Sequence, residues 1–168
     1  WDYLRGIEED YGKFIDNRMC IKLKKPHAYY QPFADSPMDD EPVGETVYLD
    51  SINRAKKYIY ITTPYLIISN EMIKALTSAA KGGIDVRIIT PYLSDKWYVH
   101  AVTKQNYEIL VESGVRIYEY LPGFIHSKNL IVDDEYGVIG TINLDYRSFY
   151  LHFECGVWMY KSPSLMEM

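Results

Sequence analysis

Between residues 58 and 120 the chain alternates two hydrophobic patterns, and this alternation narrows the fold more than any other feature of the sequence. Tyr58–Thr63 is alternating and β-branched, and it stops at Pro64. A helix follows, capped by Ser69 or Asn70, running through Ala80 and stopped by Gly82-Gly83. Ile84–Thr90 reads as the next strand, ending at Pro91. Ser94 opens a further helix across Trp97–Glu112, ended by Gly114, and Val115–Tyr120 is again a strand. Strands that alternate with helices in this way predict an α/β fold: a largely parallel sheet with helices packed on its faces.

The flanking segments add to this frame. Gly44–Lys56 predicts a helix with Tyr48, Ile52 and Ala55 on one face. Residues 31–42 hold prolines and acids without periodicity and read as a loop. After Tyr120 the pattern changes. Strands are expected at Ser127–Val132, Val138–Asn143 and His152–Tyr160, joined by short connections, with Asp133–Gly137 as a hairpin-like turn. Residues 1–27 are mixed, with a short helix expected at Ile7–Phe14 and a short strand at Met19–Leu23 before Pro26. They are expected to be connective, leaving residues 28–168 as one lobe, a size that suits one buried domain.

Charge and cysteines bound the function classes. The net charge is −5, and no basic stripe occurs beyond Lys22, Lys24 and Lys25. Nucleic-acid binding draws on Lys and Arg to neutralise phosphates, so no nucleic-acid partner is expected. Cys20 and Cys155 form no C-x-x-C and read as two buried, reduced thiols. No run of 18 apolar residues exists, so nothing here is expected to span a bilayer and the lobe itself should be soluble. The chain begins at Trp1, not Met, and is expected to be a piece of a longer protein.

The chemistry concentrates in Phe124–Ser148. His126, Lys128 and Asp133 stand in the spacing H-x-K-x-x-x-x-D, followed by G-T-x-N-x-D-x-R-S over Gly140–Ser148. The triplet alone arises by chance in roughly one chain of this length per hundred, so the downstream run carries the specificity. On a strand, His126 and Lys128 would share a face about 6.5–7 Å apart. Thr141 and Asn143, also two apart, would share one as well. Such a set suits a phosphate: an imidazole to attack phosphorus, a cation for its oxygens and neutral donors around them.

This stretch resembles the HKD motif of the phospholipase D superfamily. The resemblance continues through Tyr30–Leu49, Ile61–Met72, Val86–His100 and Tyr118–Tyr160, which are similar to the C-terminal catalytic half of bacterial cardiolipin synthases. SFYLHFECGVW, which includes Ser148, is closer to those enzymes than to the superfamily's nucleases. The resemblance implies a phospholipase D-like α-β-α sandwich lobe with a mixed, largely parallel sheet. It also implies a phosphatidyltransferase that joins two phosphatidylglycerols into cardiolipin and glycerol through a phosphohistidine, without metal or cofactor. The parent protein would sit at the bacterial cell membrane, with transmembrane helices and a first catalytic half ahead of this chain.

Residue roles follow from the same resemblance. His126 would be the nucleophile, with Lys128 and Asn143 on the phosphoryl oxygens. Thr141 stands where the superfamily often has Ser and keeps the hydroxyl. Asp133 belongs to the motif, although its place at a strand end suits a purely structural role equally well. Glu154, in the HFE phrase, would be a carboxylate hydrogen-bonded to the catalytic imidazole, fixing its tautomer. His152 would share a strand face with Glu154, near the site or simply packed. His27, His100 and His152 show no metal-ligand spacing. Two apolar stretches, Tyr65–Ile68 and Pro122–Ile125, would either pack in the core or wall a site for acyl chains. Trp97 and Tyr98 are expected in helix–sheet packing.

One element is missing. Double displacement needs a nucleophile and a general acid, and the superfamily supplies both as histidines from two lobes. The second would come from the rest of the parent protein or from a second copy of this chain. A single-motif phosphodiesterase or nuclease acting as a homodimer, and an isolated lobe without activity, remain as alternatives.

Overall fold

The computed structural model describes residues 28–38, 41–93 and 97–168, with the side chains of 97–101 outside that description. The helix expected at Ile7–Phe14, the strand at Met19–Leu23, the Ser94 cap and the packing of Trp97 and Tyr98 therefore lie outside the described residues. In chain order the elements are β1 (Tyr29–Asp35), α1 (Val43–Asn53), β2 (Tyr58–Thr62), β3 (Leu66–Ile67), α2 (Asn70–Lys81) and β4 (Asp85–Pro91). There follow α3 (Trp97–Glu112), β5 (Arg116–Tyr120), β6 (Asn129–Val132), β7 (Tyr136–Gly140), β8 (Leu144–Asp145), α4 (Tyr146–Tyr150) and β9 (Glu154–Tyr160).

Seven strands form one mixed sheet in the order β1-β9-β7-β6-β2-β4-β5, and β3 pairs with β8 separately. Within the seven-stranded sheet parallel pairing is confined to β2–β4 and β4–β5, where helices carry the crossovers. The other four pairings, β1–β9, β9–β7, β7–β6 and β6–β2, are antiparallel. The expectation of a largely parallel sheet therefore needs correcting. Segments joined by turns as short as the one between β6 and β7 can pair only antiparallel.

Alternation along each strand places the core. Ile59 and Ile61 of β2, Val86 and Ile88 of β4, and Leu130 and Val132 of β6 are buried. They join Tyr48 and Ile52 of α1, Met72 and Leu76 of α2, Leu110 of α3 and Phe149 of α4 in one cluster. All four described helices thus pack on the same face of the sheet. On the opposite face Leu165 of the 3₁₀ turn Pro163–Met166 packs against Gly137, where an added Cβ would lie 2.2 Å from Leu165 Cδ2. Ser69 caps α2 as expected, its Oγ accepting from Met72 N at 3.2 Å, and Gly82 closes the helix.

The loop expected over residues 31–42 begins instead as a strand. Tyr29–Asp35 pairs along its whole length with β9, with Pro32 opposite Val157. Proline is tolerated there because β1 is an edge strand with one side free of ladder bonds. Its largely exposed residues show no buried alternation, which removed the usual strand signal. Asp35 ends it, accepting from Gly44 N at 2.6 Å and so fixing the start of α1.

Candidate active site at one end of the sheet

Register brings the motif residues to one edge. Asn129 at the start of β6 lies opposite Thr62 at the end of β2 and Ile139 near the end of β7. Gly140 lies opposite Gly156, and Glu154 at the start of β9 lies opposite Asp35. His126, Lys128, Thr141 and Glu154 therefore surround the same sheet end on neighbouring strands about 4.8 Å apart. The close approach of β7 and β9 depends on glycine. A Cβ on Gly140 would stand 2.3 Å from the Cys155 carbonyl oxygen and 2.7 Å from Gly156 Cα.

His126 and Lys128 precede β6 in a lead-in without ladder bonds, rather than lying on the strand. The imidazole is exposed and its neighbour is the Phe124 ring, with centroids 5.6 Å apart. Lys128 is turned inward, 8% exposed, and its Nζ donates to the His126 carbonyl oxygen at 2.6 Å. Burial pulls the ammonium's pKa down, while the negative charges of Glu154 and Asp145 pull it up, and the net direction is down. The lysine is thus a buried cation anchored on the main chain, in the field of two carboxylates.

Glu154 takes different partners from those expected. Its Oε2 accepts the Thr141 hydroxyl in a short hydrogen bond, and its Oε1 lies 3.6 Å from His152 Nδ1. Thr141 Oγ1 in turn accepts from Cys155 N at 3.0 Å. Arg147 Nη2 lies 3.4 Å from His152 Nε2. A guanidinium only donates, so a neutral His152 carries its proton on Nδ1, directed at Glu154. The carboxylate is thereby oriented by Thr141 and His152, and not by a hydrogen bond from His126. The cause is local: His152 and Phe153 precede β9, so the histidine folds back on the carboxylate two residues on.

Asn143 sits between β7 and β8. Its Nδ2 donates to Ser148 Oγ at 2.9 Å, and its Oδ1 is buried without a partner. Ser148 is held by α4, whose N-cap Asp145 accepts from Ser148 N at 2.7 Å. Asp145 and Ser148 are the supporting residues that sequence reasoning missed, although their three-residue spacing is the mark of a helix cap. The pairing of β3 with β8, Leu66 with Leu144 and Ile67 with Asp145, fixes this corner to the core. Leu66 is fully buried, which settles that part of the Tyr65–Ile68 stretch as packing.

Asp133 is removed from this group, at the far end of β6. Its carboxylate accepts from the backbone N–H groups of Lys56, Lys57 and Tyr58 at 2.6, 2.9 and 2.8 Å. Asp133 and Asp134 both adopt left-handed backbone, with φ of 56° and 57°, which short polar side chains tolerate. The motif's aspartate thus joins the β6–β7 turn to the start of β2.

A cleft of about 540 Å³ lies between α1 and the β1–β9 edge. Tyr160 and Trp158 line it, at the end of β9 remote from Glu154, and it takes no part in the site. No group of three or more His, Cys, Asp or Glu among the described residues is placed to hold a metal ion. No described helix is long and apolar enough to cross a membrane.

Comparison with known proteins identifies the family. The family model described as "Cardiolipin synthase, PLD-like domain" matches residues 48–168. A cardiolipin synthase of Halalkalibacterium halodurans is 42% identical over 135 residues, 80% of this chain and 27% of that protein. One from Geobacillus thermodenitrificans is 40% identical over 164 residues, 98% of this chain and 32% of that protein. An uncharacterized protein of Streptococcus mutans is 50% identical over 142 residues, 84% of this chain and 31% of that protein. The chain thus spans about a third of the length of the curated relatives it matches. Among solved structures, Nuc of Salmonella typhimurium, a phospholipase D family member, superposes with a TM-score of 0.69 at 21% identity. That superposition covers 83% of this chain and 88% of Nuc, which supports a shared fold. With the family model matching most of its length, the chain belongs to the PLD-like domain family of cardiolipin synthases.

Proposed function

We propose that this chain is the C-terminal catalytic lobe of a phospholipase D-type phosphatidyltransferase that condenses two phosphatidylglycerols into cardiolipin and glycerol. The observation that carries this reading is the meeting, at one sheet end, of an exposed imidazole, a buried ammonium and an oriented carboxylate. Residues 28–168 form the lobe, and residues 1–27 connect it to the rest of the parent protein, which is held at the bacterial cell membrane.

In the first step a His126 ring nitrogen attacks phosphorus. The bond from phosphorus to the glycerol oxygen breaks, and glycerol leaves with a proton from a general acid. In the second step the free hydroxyl of another phosphatidylglycerol attacks, gives its proton to the same group, and displaces His126. Lys128 and the amide of Asn143 hold the phosphoryl oxygens, and the Thr141 hydroxyl lies beside them on Glu154. Glu154 balances the positive charge that builds on the imidazole. His126 cannot be both nucleophile and acid toward one phosphate, so the acid is a histidine of a second lobe, from the parent protein or from a second copy.

A single-lobe phosphodiesterase is the second reading, favoured by the Nuc likeness, in which one lobe accounts for nearly all of that chain. The net charge of −5 speaks against a nucleic-acid substrate for it. Denaturing capture of phosphohistidine from labelled phosphatidylglycerol tests the main reading in the full-length parent. His126→Ala is expected to abolish both label and turnover while leaving the fold intact. Label that persists in that variant rules the assignment out.

A further inference from the structure

Beside His126 the surface changes character. The segment Tyr120–Ile125 carries no charge, and within it Leu121 is 68% and Phe124 40% exposed. The loop after β4 lies alongside, with Tyr92 47% and Leu93 62% exposed. Parallel pairing sets Pro91 opposite Tyr120, and Tyr92 N donates to the Tyr120 carbonyl oxygen at 3.1 Å, so the two loop tips form one platform. The platform continues to the site through ring contacts, from Tyr65 to Phe124 at 6.5 Å and from Phe124 to His126 at 5.6 Å.

We propose that this platform docks on the surface of a lipid bilayer and presents headgroups to His126. The inference rests on the reading of the site as a phospholipid site. Soluble monomers seldom expose contiguous apolar surface of this kind. Tyrosine rings at the base of each tip suit the headgroup level, where one end of a residue is wet and the other apolar. Leu93 and Leu121, more exposed than those tyrosines, would enter to the depth of the first acyl carbons. A non-obligate protein partner would leave ordinary polar and charged residues within the patch, because such interfaces are only about as apolar as the rest of the surface. The platform is also continuous with the imidazole, so a phosphate at headgroup depth reaches the nucleophile without the lipid leaving the bilayer. The other flank of the site, Leu151 and Phe153 ahead of β9, is exposed too but lies across β7, β6 and β2 from these tips. It serves as a control.

The test is flotation of this chain with vesicles of phosphatidylcholine, with and without phosphatidylglycerol. The wild-type chain is expected to float with both. Leu93→Asp/Leu121→Asp should lower the partition coefficient by about tenfold or more, since two leucines lose their burial, while Leu151→Asp/Phe153→Asp leaves it unchanged. Equal thermal midpoints would show that the variants are folded. Failure of the wild-type chain to float, or undiminished flotation of the first variant, overturns the proposal. So does light scattering in which a wild-type dimer becomes a monomer in that variant, because the tips then serve a protein. Label transfer from short-chain, monomeric phosphatidylglycerol keeps the two readings apart. It needs no bilayer, so its absence in the wild-type parent strikes the assignment of the site and not the docking.

Discussion

On one side of β6 the strands β2, β4 and β5 run parallel to one another, and helices carry the two connections between them. On the other side it is antiparallel, and strands follow one another through turns and short segments. The parallel side supplies Ile59, Ile61, Val86 and Ile88 to the core. The antiparallel side and the approach to β6 supply every group assigned to the site. Hydrophobic burial is non-directional and tolerates small shifts, whereas a phosphate site needs groups held by hydrogen bonds at defined positions. The chain separates the two tasks along the sheet. The parallel side can be read from periodicity, and the side-chain partnerships of the antiparallel side only from its bonds.

Substitutions on the antiparallel side should therefore cost activity before stability, except where they strike the strand contact itself. The largest effect short of losing His126 is expected from Glu154→Gln. It keeps an acceptor for Thr141 and removes the charge near Lys128, and should lower kcat on the order of a hundredfold with little change in KM. A near-normal kcat would return Glu154 to a structural role and blur the contrast. Gly140→Ala probes the opposite extreme. Its Cβ would meet the Cys155 carbonyl, and thermal unfolding should report a loss of about 3 kcal/mol.

Asp133→Asn comes next. Lys56, Lys57 and Tyr58 would lose a charged acceptor at the end of β6 remote from the site. Denaturant unfolding should show a loss of about 2 kcal/mol, with kcat of the folded protein unchanged. A fall in kcat at unchanged stability would place Asp133 in the chemistry after all.

The smallest effect concerns pH. Burial lowers the Lys128 pKa in the folded protein, so the folded state binds this proton less readily than the unfolded chain. The burial penalty on this group therefore fades as pH rises through the folded pKa toward the unfolded value. Activity runs the other way, because the cation is lost earlier than from a free lysine. Lys128→Arg cannot be deprotonated, and the alkaline limb of its kcat/KM profile should move upward whatever its rate at neutral pH. An unmoved limb would mean that Lys128 does not set it.

The same contrast explains what could be read from the sequence. Helices α1 to α3 and strands β2, β4 and β5 stood out because apolar spacing and glycine or proline stops coincide there. The residue types at the site were also legible, from His126 through Glu154. Their partners were not. Glu154 meets Thr141 across the β7–β9 contact, 13 residues back in the chain, and Asp133 meets residues 75 to 77 positions earlier. The β3–β8 pair is two residues on each side, too short for any periodicity. β1 went unseen because Pro32 stands where a central strand could not accept it.

Lys128 carries one more consequence. A long side chain at a surface site surrenders much rotamer freedom, on the order of 2 kcal/mol, when an anion immobilises it. Here the ammonium is already anchored on the His126 carbonyl, and two of its three donors remain for phosphoryl oxygens. On the proposed reading, an arriving phosphate would find its cation immobile, and the ordering penalty would fall on folding and not on each round of binding. The anchor is the main chain of the proposed nucleophile itself. Any shift of His126 toward phosphorus would then carry the lysine with it, and the attacking group and its counter-charge would advance as one body.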